Sequence, residues 1–281
     1  MIRLTVFVLA LTLTACGKAI LPDAPDGERP SRIVSLDFCA DQYLLQFADP
    51  DQILAVSPDA VRDFSFMRAK AAGVPTVRPL AEDVILLKPD LVVRSYGGGP
   101  NAAAFFEQAG IPVLQVGWAS SIHGDDISSI PKITREVAAG LGHRDRGEAL
   151  VQSYLERLAT VQATTREKST LYMTPSGLTS GGNSMIHEAM MAAGLKNFAN
   201  RNGWHSLPLE RLAYERPDLV TAAFFGVRTN HQHGWSAARH PVAKRELSET
   251  DLVALDSAWL SCGGWYIVEA VEALAEGAAI E

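Results

Sequence analysis

The sequence predicts an α/β protein of two lobes, each built on a mainly parallel central sheet. One long backbone helix joins the lobes, and a ligand cleft lies between them. Three observations predict this. A phrase occurs twice: residues 82–92 read EDVILLKPDLV and residues 210–220 read ERLAYERPDLV, at one offset throughout (210 − 82 = 128; 216 − 88 = 128). A repeat this long in two copies marks two similar lobes, whereas a solenoid repeats more often at a shorter period. Short apolar runs alternate with helical patterns in both halves, as βα units do. Between the halves, apolar residues recur at helical spacing with no Gly-Pro turn cluster after Pro131.

The amino terminus comes first. Met1-Ile2-Arg3 is a positive start and Leu4 to Leu13 a short apolar run, too short to cross a bilayer. Leu13-Thr14-Ala15-Cys16 follows and resembles the lipobox of bacterial lipoproteins. That resemblance implies a cleaved signal over residues 1–15, lipid on the Cys16 thiol and anchoring to the membrane after export. Residues 16–30, rich in Pro, Asp and Gly, read as the lipidated cysteine and a flexible tether. About 265 residues remain, enough for two lobes of roughly 110–130 each.

The first lobe is assigned to residues 31–122. Strands are expected at Arg32–Leu36, Ile53–Val56, Pro89–Val93 and Ile111–Val116, with helices at Gln42–Phe47 and Ala102–Ala109. In a parallel sheet the ligand loops belong at the carboxyl ends of the strands. Here those are Leu36–Asp41, Ser57–Phe66, Arg94–Pro100 and Gly117–Ser121. The connecting helix is assigned to residues 123–168 on the spacing of Ile133, Val137, Leu141, Leu150, Tyr154, Leu158 and Val161, with Gly140 and Gly142 as early weak points. The second lobe, 169–281, offers strands at Ser169–Met173, Pro217–Thr221 and Leu252–Leu255. Helices are expected at Met185–Ala193 and Tyr266–Leu274, with a polar loop over Gly226–Arg239.

Composition narrows the function. A net charge of −7 leaves no electrostatic footprint for nucleic acid, and 47% hydrophobic residues support full cores. After the amino terminus no apolar stretch is long enough to span a membrane. With Cys16 assigned to lipid, Cys39 and Cys262 remain. They are open to two readings: a bridge tying the lobes together, or two separate buried thiols.

The residues at Arg32–Leu36, the Glu82–Val92 phrase, Ser180–Ala193, Trp204–Val220 and Trp259 resemble, in order and spacing, the substrate-binding proteins of ABC importers for ferric siderophores and cobalamin. These are the carriers with a rigid helical backbone between lobes. The resemblance covers nearly all of the mature chain. It implies a periplasmic, monomeric carrier that binds a metal chelate reversibly, holds no resident cofactor or metal, and feeds a permease dimer with its ATPase. It also implies that Glu82 and Glu210 form salt bridges with arginines on the two permease subunits. In the cleft it points to Arg78, Tyr96 and Trp259. Phe64 and Trp118, in loops at strand ends, and Trp235, with Arg228 and Arg239 nearby, are further cleft candidates. Trp204 and Trp265 are expected to pack against their own lobes. A guanidinium at Arg78 suits an oxygen-rich, anionic ferric chelate, so an iron-siderophore cargo is the first expectation, with cobalamin or haem as the alternative.

Two other classes are weighed. His205, His231, His233 and His240 with His123 would ligate a free zinc or manganese ion, but four of the five lie in the second lobe, and a solvated loop is the expected reading. An exported hydrolase would need a nucleophile motif. His187-Glu188-Ala189-Met190-Met191 lacks a second histidine, Gly182-Asn183-Ser184-Met185 lacks the glycine after serine, and Gly97-Gly98-Gly99 lacks a P-loop lysine. No enzyme is expected.

Overall fold

The computed structural model describes residues 29–117, 120–121, 124–125, 127–162, 167–223 and 236–279. The first lobe runs β1 (Ile33–Ser35), α1 (Phe38–Phe47), β2 (Ile53–Ala55), α2 (Arg68–Ala71), α3 (Ala81–Leu86), β3 (Leu91–Arg94), α4 (Ala102–Gln108) and β4 (Val113–Gln115). The short strands β5 (Ser120–Ser121) and β6 (Gly124–Asp125) lead to α5 (Ile130–Gly140) and α6 (Arg144–Gln162). The second lobe runs β7 (Ser169–Met173), β8 (Leu178–Ser180), α7 (Met185–Ala192), β9 (Lys196–Asn197), β10 (Trp204–Ser206), α8 (Leu209–Leu212), β11 (Leu219–Ala223), α9 (Pro241–Glu249), β12 (Asp251–Leu255), α10 (Ser257–Leu260) and α11 (Ile267–Ala279).

The two sheets have one topology. The first orders its strands β2-β1-β3-β4 and the second β9-β7-β11-β12, with every neighbouring pair parallel. The repeated phrase starts α3 and α8 at equivalent residues (209 − 81 = 128) and β3 and β11 likewise (219 − 91 = 128). Its Pro-Asp step has a structural reason. The Asp90 carboxylate accepts the backbone N–H groups of Ser31 at 2.8 Å and Arg32 at 3.0 Å, and its own N–H donates to the Arg32 carbonyl. Asp218 does the same for Ser169, which donates to its carboxylate at 2.8 Å and accepts its N–H. Each aspartate thus satisfies the backbone where the lobe's first strand begins. The strand that follows is then buried along its length, as an inner parallel strand must be.

The connection differs from the expected single helix. Residues 130–162 form two helices packed on each other, with Arg135 and Glu148 paired in two hydrogen bonds of 2.7 and 3.0 Å. Gly142 makes the break. Its φ of +82° is left-handed, and its N–H donates to the Ala139 carbonyl while that of His143 donates to Ala138, which closes the end of α5. The helix that links the lobes is therefore α6, 19 residues long. Its start is held to the first lobe by Arg146, which donates to the Phe47 carbonyl and to Asp49, both at 2.6 Å. Its far end is held to α11 by Arg157, which pairs with Glu269 and Glu272.

The lobes also share a core. One continuous buried cluster contains Tyr43 and Phe47 of α1, Ile133 of α5, Tyr154 and Leu158 of α6, Met190 of α7, Tyr266 just ahead of α11 and Val271 within it. Phe66 stacks on Tyr266 at 4.6 Å, and Tyr43 meets Trp265 edge-on at 5.0 Å. Cys39 and Cys262 are joined in a disulfide with Cα atoms 5.3 Å apart, so the bridged alternative holds. Smaller differences include the short elements α2, α10, β8, β9 and β10, which were not expected, and three at the longer helices. Helix α1 starts at Phe38, not Gln42; α9 occupies a stretch that carried no predicted helix; and α11 extends to Ala279.

Candidate functional site

The site is built on six residues of α1 and its cap, Asp37-Phe38-Cys39-Ala40-Asp41-Gln42. Asp37 caps the helix, its Oδ1 accepting the Ala40 N–H at 3.0 Å. Its Oδ2 accepts three more N–H groups, from Ser95 at 2.8 Å, Tyr96 at 3.0 Å and Gly97 at 2.8 Å. Arg94 closes the same loop from the other side, donating to the carbonyls of Gly97 and Gly99 at 2.9 Å each. A side chain at Gly97 would place its Cβ 2.4 Å from the Leu36 carbonyl oxygen, so only glycine lets this loop lie on β1. One helix turn on, the buried Asp41 accepts the Ser57 N–H at 3.1 Å and hydroxyl at 2.5 Å. Gln42 donates to Ser65 Oγ at 3.0 Å and accepts the Met67 N–H at 2.7 Å. Cys39 reaches the second lobe through the disulfide. One short tract therefore fixes the loops after β1, β2 and β3 and the turn ahead of α11.

These constraints set out an aromatic wall. Phe38 meets Phe64 edge-on at 4.9 Å and Tyr96 at 6.2 Å, and Tyr96 stays 45% exposed. Burial, then the nearby carboxylates of Asp37, Asp59 and Asp41, hold the Tyr96 phenol well above its usual range, so it remains a neutral hydroxyl at physiological pH. Burial likewise pushes the Asp41 carboxyl up from 3.8 to about 7.

Of the residues expected in the cleft, Phe64 and Tyr96 come together, and Phe38, on no candidate list, completes them. The Arg78 side chain is 71% exposed, and its Nε donates to Asp83 at 2.7 Å. Trp259 is half-buried in α10 and packs on the shared core, beside Asp256, which pairs with Arg68 across the lobes at 3.6 Å. Trp118, Trp235, Arg228, His123, His231, His233 and Cys16 lie outside the described residues. His240 caps α9, its Nδ1 accepting the Val242 N–H, and His205 bonds only to backbone carbonyls among the described residues. Trp265 is buried as expected, but Trp204 is 55% exposed. It sits on the β8–β10 ribbon, beyond the carboxyl ends of β7 and β9, with its ring edge-on to Tyr172 at 5.8 Å. Glu82 and Glu210 are both exposed in the first turn of α3 and α8, and neither has an ion-pair partner among the described residues.

Two parallel sheets of one topology are joined through α6, and the family comparison agrees with that plan. The model of the periplasmic binding protein family matches residues 33–223, over half of the chain. The chain belongs to the periplasmic binding protein family. No curated relative matches its sequence. Solved structures of similar fold include the apo periplasmic haem-binding protein of Roseiflexus sp. RS-1, at 20% identity and TM-score 0.65, covering 89% of this chain and 99% of that one. The periplasmic vitamin B12-binding protein of Vibrio cholerae matches at 18% identity and TM-score 0.64, over 90% and 98%. The periplasmic haem-binding protein of the same organism matches at 17% and 0.67, over 87% and 97%. These similarities establish the two-lobed fold of this periplasmic binding protein.

Proposed function

We propose that this periplasmic binding protein captures an organic metal chelate between its lobes and delivers it, unchanged, to the permease dimer of an ABC importer. The observation that carries the reading is the wall of Phe38, Phe64 and Tyr96, locked from behind by Asp37, Asp41 and Gln42. A pre-formed aromatic surface with one neutral hydroxyl suits a broad, flat, largely apolar face. Haem and corrinoid rings have such a face, and the names of similar proteins mention haem and vitamin B12. The ferric-siderophore reading rested on the Arg78 guanidinium, and its pairing with Asp83 gives the tetrapyrrole class precedence. Delivery is supported by Glu82 and Glu210, one exposed carboxylate at the same place in each lobe. Lipid on Cys16 would hold the carrier at the membrane where the permease lies.

The test is a titration of the chain starting after Cys16 with haemin, cyanocobalamin and a ferric hydroxamate siderophore, followed by tryptophan fluorescence. Saturable quenching by haemin or cyanocobalamin is expected, weakened at least tenfold in the Phe38→Ala/Tyr96→Ala double variant. Saturation by the siderophore alone would replace the tetrapyrrole reading. Silence with all three would remove the chelate.

A further inference from the structure

The most exposed large apolar side chains among the described residues stand at one place in each lobe. Leu86 is 78% exposed and Tyr214 is 91% exposed. Their separation is that of the two glutamates (214 − 86 = 128). Leu86 follows Glu82 by four positions within α3, and Tyr214 follows Glu210 by four, in the turn that runs on from α8, where its N–H donates to the Arg211 carbonyl at 3.0 Å. The opposite side of each turn faces inward: α3 buries Val84 and α8 buries Leu212, again 128 apart.

A lone exposed leucine on a protein surface needs no explanation. Two at equivalent positions, each beside an unpaired carboxylate, do. The other charges within α3 and α8 are paired, Asp83 with Arg78 and Arg211 with Glu215, both at 2.7 Å. Each tip therefore presents one acid and one apolar knob. We propose that the two tips are two-part plugs. Each seats on one half of a two-fold permease, in a surface where a cation lies beside an apolar hollow. This rests on the reading that the protein delivers to such a permease. The two parts have separate roles. Exposed carboxylates steer and orient the encounter, while side chains buried at the contact set how long it lasts. The knobs also differ, an aliphatic one on the first lobe and a phenol on the second, so the two halves of the contact are distinguishable although the permease is symmetric.

The experiment places a photo-crosslinking amino acid at position 86 or 214 of the full chain in the producing cells, with the exposed apolar positions Phe105 and Leu252 as controls. Irradiated membranes are then examined by mass spectrometry. Both tip positions are expected to cross-link to the same integral-membrane subunit, and the controls are not. In parallel, the Leu86→Ser/Tyr214→Ser variant should leave the cross-linked or co-purified complex at least tenfold faster than wild type, with its unfolding midpoint and its haemin and cyanocobalamin titrations unchanged. Absence of tip cross-links, equal labelling at the controls, or an unaltered dissociation rate would overturn the proposal. The cross-link reads docking whatever the cargo. A wild-type chain that binds neither probe but cross-links at both tips would sink the tetrapyrrole reading and sustain this one.

Discussion

Asp37, Asp41 and Gln42 never reach the cleft surface, yet they decide where Phe38, Phe64 and Tyr96 stand. Phe64 was singled out because it lies in a loop at the carboxyl end of a parallel strand, and Tyr96 through the family resemblance; the structure brings the two together with Phe38. Phe38 lies in the Leu36–Asp41 ligand loop and was still not singled out; what the sequence reading missed is that Asp37 is a helix cap, which makes the tract the first turn of α1. The cap signal was present, an aspartate directly before an apolar run, and it also located the hub of the site. The Arg78–Asp83 pair was not legible either: periodicity carries no sign of an ion pair with a residue five positions on. Asp41 gives a prediction at this scale. Its folded-state pKa, raised by burial to about 7, lies above the unfolded value, so the folded chain holds the proton more tightly. The stability this contributes is complete below about pH 4 and is lost as pH rises through about 7, an effect on the order of 4 kcal/mol. The neutral, isosteric Asp41→Asn variant lacks that loss. Denaturant midpoints between pH 4 and 8 should show wild type falling relative to the variant, and parallel curves would contradict the assignment.

Helices α5 and α6 show how an element-level reading went partly astray. Apolar residues at 133, 137 and 141 continue at 150, 154, 158 and 161 because both helices bury one face against the shared core. A common core keeps the spacing, so the pattern alone hides the break. Gly140 and Gly142 marked the right place, and the left-handed Gly142 turned a weak point into a helix end. The Pro-Asp-Leu-Val strands, by contrast, were legible, since burial on both faces leaves mainly apolar residues there. The link from α1 to the turn before α11 was legible only as two spare cysteines, because pairing depends on a distance that sequence does not contain. The Cys39–Cys262 bridge spans 223 residues, and closing a loop of that length stabilises by about 5 kcal/mol in the chain-entropy model. Cys39→Ser, or reductant on wild type, should lower the denaturant midpoint by a large part of that, and an unchanged midpoint would show that the bridge adds nothing.

At the scale of the molecule, the 128-residue offset forecast two copies of one sheet topology, and both are there. It gave no sign that the copies would be fused. A single core runs from α1 through α6 to α11, α6 is bound to both lobes, and a disulfide and the Arg68–Asp256 pair cross between them. Hinge closure would have to tear that core, which is close-packed and cannot deform continuously. On the proposed function, ligand would therefore bind with little change of shape, and the proposed docking on a permease would rest on fixed tips. Hydrogen exchange of the chain starting after Cys16, free and saturated with haemin or cyanocobalamin, tests this directly. The account predicts protection confined to the loops at residues 57–66 and 95–99 and the ribbon at 204–206, with exchange in α6 and at the start of β1 and β7 unchanged. Protection spread across α6 and both sheets, or none in the cleft loops at saturating ligand, would contradict it.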